Sequence, residues 1–177
     1  MYGPEGWCHG CGVPRVPQVA GLVLQGAKFP TSSFWMPNWQ FDALCIRREE
    51  AMAIISTFGL TTLPVTTPRS SETGVVQLVP AVSSDPWFDR GLLDKRARAR
   101  HGHAGAECPT CHTWRWLPVP TADLPPALIP SGATCVASPE WFGDGMSAFR
   151  ELRFVRPLAE ALVNLNPRVW RIEEPAA

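Results

Sequence analysis

Four of the six cysteines fall into two Cys-x-x-Cys pairs, Cys8 with Cys11 in "WCHGCG" and Cys108 with Cys111 in "AECPTCHTW". Two intervening residues let a pair of thiolates and the amides between them wrap one side of a tetrahedral ion, and two such knuckles close a structural zinc site. The stretch from 12 to 107 that separates the pairs is far longer than the roughly 15 to 20 residues of an ordinary zinc ribbon. Closure entropy tolerates the insertion, because its cost rises only with the logarithm of loop length. A structural zinc supplies on the order of 10 kcal/mol of folding free energy, against about 2 to 4 kcal/mol for a disulfide. That is enough to hold a Gly- and Pro-rich N-terminus to the second half of the chain.

Other chemistry is open to the same residues. Read through His112, the second pair matches covalent haem attachment, with His112 as an axial ligand and Met36, Met52 or Met146 opposite it. That reading leaves Cys8 and Cys11 unexplained. It also requires export, and "MYGPEGWCHGCG" lacks the basic start and apolar middle of a secretory signal. The expected compartment is therefore the cytoplasm, where disulfides do not persist. A thioredoxin-like centre needs its pair between a strand and a helix of a βαβ unit, and neither pair sits so. Simple burial of the thiols is the remaining alternative. The preferred reading is structural zinc on Cys8, Cys11, Cys108 and Cys111. His9 and His112 could each replace a thiolate, while Cys45 in "ALCI" and Cys135 in "ATCV" read as small buried residues.

Little else in the chain points to chemistry. No phosphate-binding, dinucleotide-binding, metalloprotease or nucleophile-elbow motif occurs, so no catalytic residue is assigned. His101 and His103 with Asp89 and Asp94 form a nominal acid/base cluster, but the surrounding "DKRARARHGHAG" has no apolar period. Residues 85–105 are thus expected to form an exposed, mobile basic loop. Its cations from Lys95 to Arg100 could release counterions from phosphates, which makes nucleic-acid binding the alternative function. Against it, Lys plus Arg and Asp plus Glu number 16 each, and no overall field draws the chain to nucleic acid or to an anionic membrane.

The elements expected to position the cysteines are short. Nineteen prolines and 14 glycines with 45% hydrophobic residues imply many turns and a real core. "SSFWMP" and "FDALCI" read as two strands joined by a turn. "RREEAMAIISTFGL" reads as a helix with Ala51, Ile54, Ile55 and Phe58 on one face, Glu49 and Glu50 at its positive end and Gly59 as its stop. "TLPVTTP", "GVVQLVPAV" and "HTWRWLPVP" read as extended, with Trp114 and Trp116 on one face of a strand. "SPEWF" reads as a short helix opened by Ser138 with Pro139 at its first position, and "RPLAEALVNLN" as a helix that Pro167 ends. The fold class is α+β, with mostly short antiparallel strands and a few short helices stapled by a zinc-ribbon-like site of four cysteines. Residues 1–177 form one domain: knuckles at 8–12 and 108–112 joined through an inserted α+β region, 33–82, and the basic loop. No apolar run reaches the roughly 20 residues of a membrane helix.

The order of these pieces resembles the double-CXXCG motif proteins, a bacterial family that includes immunity proteins against swarm-inhibition toxins. The matching residues are "CHGCG" (Cys8 to Gly12), "FWMPNWQFDALCIRREEAMAIISTFGLTTL" (Phe34 to Leu63), "VVQLVPAV" (Val75 to Val82), "CPTCH" (Cys108 to His112) and "LPVPTADLP" with "ATCVASPEWFGDGMSAFREL". His112 stands where the family carries Gly. The resemblance implies a non-enzymatic cytoplasmic binder of a cognate toxin delivered by contact from a sibling cell, with structural zinc. It carries over no toxin-contacting residues.

Overall fold

The computed structural model describes residues 1–25, 32–37, 40, 42–69, 73–129 and 132–173, with Met146 described by its backbone alone. The end of the Gly/Pro-rich flank at 26–31 and the Met146 side chain, named above as a haem candidate, lie outside the described residues. The fold is α+β, and the described residues form short, mostly antiparallel strands in three small sheets with three α-helices.

The first half centres on one antiparallel sheet. Strands β1 (Phe34–Trp35), β2 (Leu44–Arg47), β3 (Thr62–Pro64) and β4 (Val75–Leu78) lie in the order β1-β2-β4-β3, with helix α1 (Arg48–Phe58) between β2 and β3 in sequence. Successive strand residues point to opposite faces, and here both faces are buried. Phe34, Leu44, Ile46, Val76 and Leu78 pack on one side with Ala51 of α1 and with Leu158 and Leu162. On the other side Trp35, Ala43, Cys45 and Val75 pack with Leu22 and Val65. A strand covered on both faces reads as a continuous apolar run, which is the pattern of "ALCI". Gln77 is the polar exception at 3% exposure. Its Oε1 accepts from the Leu22 amide at 3.2 Å and from Gln18 Nε2 at 2.8 Å, so the buried amide is satisfied by the N-terminal segment that it anchors. In α1, Glu49 and Glu50 occupy the first turn, and Gly59 takes a left-handed conformation at φ 60°, its amide bonded to the Ile55 carbonyl. Ala51 is buried, while Ile54, Ile55 and Phe58 are partly covered.

The second half is built on aromatic packing. Strand β5 (Ala81–Val82) precedes helix α2 (Arg90–His101), followed by β6 (Gly105–Glu107), β7 (Trp114–Trp116), β8 (Cys135–Ala137), β9 (Trp141–Phe142), β10 (Leu152–Phe154) and helix α3 (Arg156–Leu165). One sheet runs β10-β8-β5 and the other β6-β7-β9; in each, one neighbouring pair is antiparallel and the other parallel. Trp87, Phe88, Leu93, Ala97, Trp116, Leu124 and Phe142 form the cluster beneath α2. Trp116 is buried and Trp114 half-buried, their rings edge to face at 5.5 Å. Cys45 is fully buried as expected, whereas Cys135 keeps partial exposure.

Two expectations are corrected. Within the basic stretch 85–105, residues Arg90–His101 are the helix α2. Leu93 and Ala97, one turn apart, are both fully buried, and the Asp89 carboxylate caps the start by accepting from the Leu92 amide at 2.8 Å. A helix needing only two buried side chains shows no apolar period in sequence, while its exposed arginines are good helix formers. Asp89 and Asp94 also lose their acid/base reading: the first is the cap and the second pairs with Arg98 at 2.6 Å. "SPEWF" is likewise not a helix. The buried Ser138 hydroxyl donates to the Glu140 carbonyl at 3.0 Å, the Glu140 carboxylate accepts from the Trp87 amide at 2.8 Å, and Trp141 and Phe142 pair with β7. Tertiary hydrogen bonds here replace the local capping that Ser138 and Pro139 suggested. Helix α3 forms as expected, with proline in its first turn.

Because the core holds α2 through Leu93, Leu93→Ala will cost about 2 to 5 kcal/mol of stability. Lys95→Ala on the outer side will stay within about 0.5 kcal/mol. Urea unfolding of the two variants checks this; equal, small effects would match a loop instead.

Candidate metal centre

The two knuckles are the same backbone structure offset by 100 positions. In the first, the Cys8 amide donates to the Val13 carbonyl at 2.9 Å, the Gly12 amide to the Cys8 carbonyl at 2.7 Å, and Trp7 bridges Pro14. In the second, the Cys108 amide donates to Thr113 at 3.0 Å, the His112 amide to Cys108 at 2.9 Å, and Glu107 pairs with Trp114. Each turn then needs a left-handed residue after its second cysteine. Gly12 supplies it at φ 73°, and His112 adopts it at φ 58°, the one non-glycine residue with positive φ among the described residues. The departure at His112 therefore keeps the knuckle's geometry and carries a backbone cost of roughly 1 kcal/mol. The His112 ring extends outward to the Glu107 carboxylate at 3.0 Å. His9 is exposed.

Equivalent cysteines of the two knuckles face each other. Cys8 Sγ lies 3.7 Å from Cys108 Sγ and Cys11 Sγ 3.7 Å from Cys111 Sγ, with all four sulfurs within 4.8 Å of one another. Four thiolates at about 2.3 Å from a central zinc ion occupy the corners of a tetrahedron with edges of about 3.8 Å. The donor set and its spacing therefore suit a four-coordinate metal ion. Cys8, Cys11 and Cys108 are buried and Cys111 is half-buried, so the set is closed to solvent on most sides.

The surroundings favour thiolate on the second knuckle. Amides of Cys111 and Thr110 point at Cys108 Sγ and pull its thiol down to about 6, and the Thr113 hydroxyl beside Cys111 Sγ at 3.3 Å lowers that thiol as well. Burial pushes Cys11 up to about 12. A cation at the centre is what compensates such a desolvated thiolate.

Several supporting residues have no spacing signal in the sequence. Val13 and Trp141 are buried against the thiols, with Ala148 partly so. The Gly145 amide donates to the Cys11 carbonyl at 3.1 Å, and Gly145 approaches so closely that a Cβ on Gly12 would lie 2.8 Å from its Cα. The turn at 143–148 thus seats directly on the first knuckle. Only the glycines in "FGDGMS" hinted at it.

A second polar group lies beside the centre, in a cavity of about 430 Å³ lined by Tyr2, Asp42, Gln77, Trp141 and Arg150 among others. The Arg150 guanidinium sits 4.2 Å from the Trp141 ring centre and donates to the Ser138 carbonyl at 2.7 Å, while its amide donates to Asp42 at 3.3 Å. Burial raises the Asp42 carboxyl to about 6 and the Tyr2 phenol to about 12. None of these residues was singled out from the sequence, because the pair is brought together only by folding.

Comparison of the chain with protein-family models, with curated proteins and with solved structures finds no match. Among the described residues, no helix is long and apolar enough to cross a membrane.

The knuckles' equal shapes but unequal surroundings predict opposite responses to exchange. His112→Gly will leave the fold intact and change stability by no more than about 1 kcal/mol, since relief of the left-handed cost is offset by a looser unfolded chain. Gly12→His will cost several-fold more, because its Cβ meets the Gly145 backbone; thermal unfolding of the two variants measures the contrast. Asp42 predicts a pH dependence. Its proton is held more tightly folded than unfolded, so stability rises as pH falls from about 6 towards about 4, on the order of 3 kcal/mol in all. Asp42→Asn will flatten that segment of the profile, measured by urea midpoints across the range.

Proposed function

We propose that Cys8, Cys11, Cys108 and Cys111 hold one zinc ion as a structural clamp, in a non-enzymatic binding protein that neutralises a contact-delivered bacterial toxin in the cytoplasm. The convergence of four cysteine sulfurs from opposite parts of the chain carries the metal reading. Zinc is preferred because closed, all-thiolate tetrahedral centres built from paired knuckles are its structural form. In that role the four thiolates would hold the ion, with Val13, Trp141 and Ala148 packed around them. The immunity reading rests on the ordered resemblance to the double-CXXCG proteins, from Cys8 through Leu152. In such a protein the clamp gives a rigid frame, and rigidity lowers the entropy lost on binding a partner.

The nucleic-acid alternative relied on cations from Lys95 to Arg100. In α2, Arg96 donates to the Asp123 carbonyl at 2.7 Å, Arg98 pairs with Asp94 and Arg100 lies 3.8 Å from the Asp123 carboxylate. These engagements leave fewer cations for phosphate and weaken that reading.

Elemental analysis of the purified chain will find about one equivalent of zinc. Cys8→Ser and Cys108→Ser will each lose the metal and destabilise the fold strongly, since metal binding and folding are one equilibrium. Iron in place of zinc would keep the clamp and reject the metal's identity. Co-expression with a candidate toxin encoded by a neighbouring gene tests the function. Rescued growth and an isolable complex are expected, and failure of both would end the immunity reading.

A further inference from the structure

The two knuckles are joined a second time outside the sulfur cluster, through one carboxylate. The second knuckle is closed by Thr113, whose carbonyl accepts from the Cys108 amide at 3.0 Å, and the chain then runs directly into β7. Arg115 is the middle residue of that strand, paired with Ala106 on one side and Trp141 on the other. Its side chain is only 13% exposed, and its Nε is buried without a hydrogen-bond partner among the described residues. Nη1 donates to Asp144 Oδ1. The same oxygen accepts from the Gly145 amide at 2.8 Å, and that amide also donates to the Cys11 carbonyl at 3.1 Å. A path of polar contacts thus runs from the second knuckle through Arg115, Asp144 and Gly145 to the backbone of a cysteine in the first.

The turn that carries Asp144 is anchored at both ends. Phe142 and Phe149 exchange backbone hydrogen bonds at 2.9 Å, the Gly143 amide donates to the Trp116 carbonyl at 2.8 Å, and Ala148 packs against the thiols. Asp144 itself stands out in solvent, so its side chain contributes charge and hydrogen bonds rather than packing. An ion pair between two exposed groups is worth little. Here one partner is largely buried, and removing the carboxylate leaves that guanidinium without its counter-charge. Capping the short turn Gly145–Ser147 needs only the bond to the Gly145 amide. The bond to Arg115 adds a tie to the opposite knuckle.

We propose that Asp144 is a positioning residue of the cysteine centre: by bridging Arg115 and Gly145 it braces the first knuckle against the second, so that the four sulfurs are held ready for a metal ion and retain it tightly. This rests on the metal reading above and adds a determinant of affinity that supplies no donor atom. The physical reason lies in the separation of the pairs. Without contacts between the knuckles, metal binding itself must overcome the entropy of closing the long chain between them. Contacts that hold the cage in place in advance leave more of the coordination energy as affinity. Groups that orient ligands without touching the metal commonly account for about 10- to 100-fold in metal affinity.

The test measures zinc affinity of the full chain by competition with a chromogenic chelator, without denaturant. Asp144→Ala is expected to weaken zinc binding by at least about tenfold. Asp144→Asn keeps an oxygen for the Gly145 amide but drops the charge, and should show a smaller loss in the same direction. In a double-mutant cycle with Arg115→Gln, the doubly substituted chain should lose no more than the worse single variant, because both act through one bridge. Asp94→Asn breaks an exposed ion pair on α2 and should leave the affinity unchanged. The exposed Asp144 position keeps the test open if Arg115→Gln does not fold. A merely structural role would shift the urea midpoint and leave the affinity of the folded chain as in wild type. Zinc affinities of Asp144→Ala and Asp144→Asn equal to wild type would therefore overturn the brace while the metal reading stands, as would additive losses in the cycle. A wild-type chain that takes up no zinc would end both.

Discussion

Everything in this molecule depends on the meeting of two Cys-x-x-Cys turns that lie 100 positions apart. Four sulfurs crowd within 4.8 Å of one another at a largely buried junction. As thiolates alone they would repel, and burial raises the cost of each charge. A central cation reverses the sign of the interaction, which is why the donor set and its tetrahedral spacing point to a metal. The two turns converge because equivalent cysteines oppose each other, each turn contributing one side of the cage.

That junction has a structural consequence for the N-terminal segment. Residues 1–25 contain no named strand or helix, only isolated bridges such as Trp7 with Pro14 and Val23 with Thr66. Such a segment has little ladder bonding to hold it. It is held at intervals instead: at the cysteine centre, at Gln77 through Gln18 and Leu22, and by apolar packing of Leu22 against Cys45 and Val65. By covering the far face of the four-stranded sheet, it turns a one-sided sheet into a two-sided core. Asp42, Arg150 and the Tyr2 ring line the cavity that remains beside it, where burial holds the Asp42 carboxyl well above its ordinary range.

Patterns that report on local structure were readable from residue order. The apolar runs of β2 and β4 are short but continuous, and α1 repeats Ala51, Ile54, Ile55 and Phe58 on one face before a left-handed glycine. Helix α2 escaped because the core asks only for Leu93 and Ala97, and Asp89 caps it from a stretch otherwise dominated by charge. "SPEWF" misled in the other direction. Ser138 and Pro139 fit a helix start locally, but Glu140 is claimed by the amides of Trp87 and Phe88, and Trp141 by a strand. In both cases partners distant in sequence outweighed local propensity.

The sequence by itself determined the donor chemistry: two-residue spacing makes each cysteine pair a chelating turn, wherever its partner lies. A glycine after the second cysteine is visible in the first turn, and the structure shows that His112 takes the same left-handed conformation in the second. Only the tertiary structure decided that the two turns share one centre, that Gly145 seats on Gly12, and that the basic stretch is a helix seated on the core through Leu93 and Ala97. Spacing within a turn is a local constraint on a few dihedrals. Convergence across 100 positions is set by how the sheets and helices pack between them, and no short pattern encodes that packing.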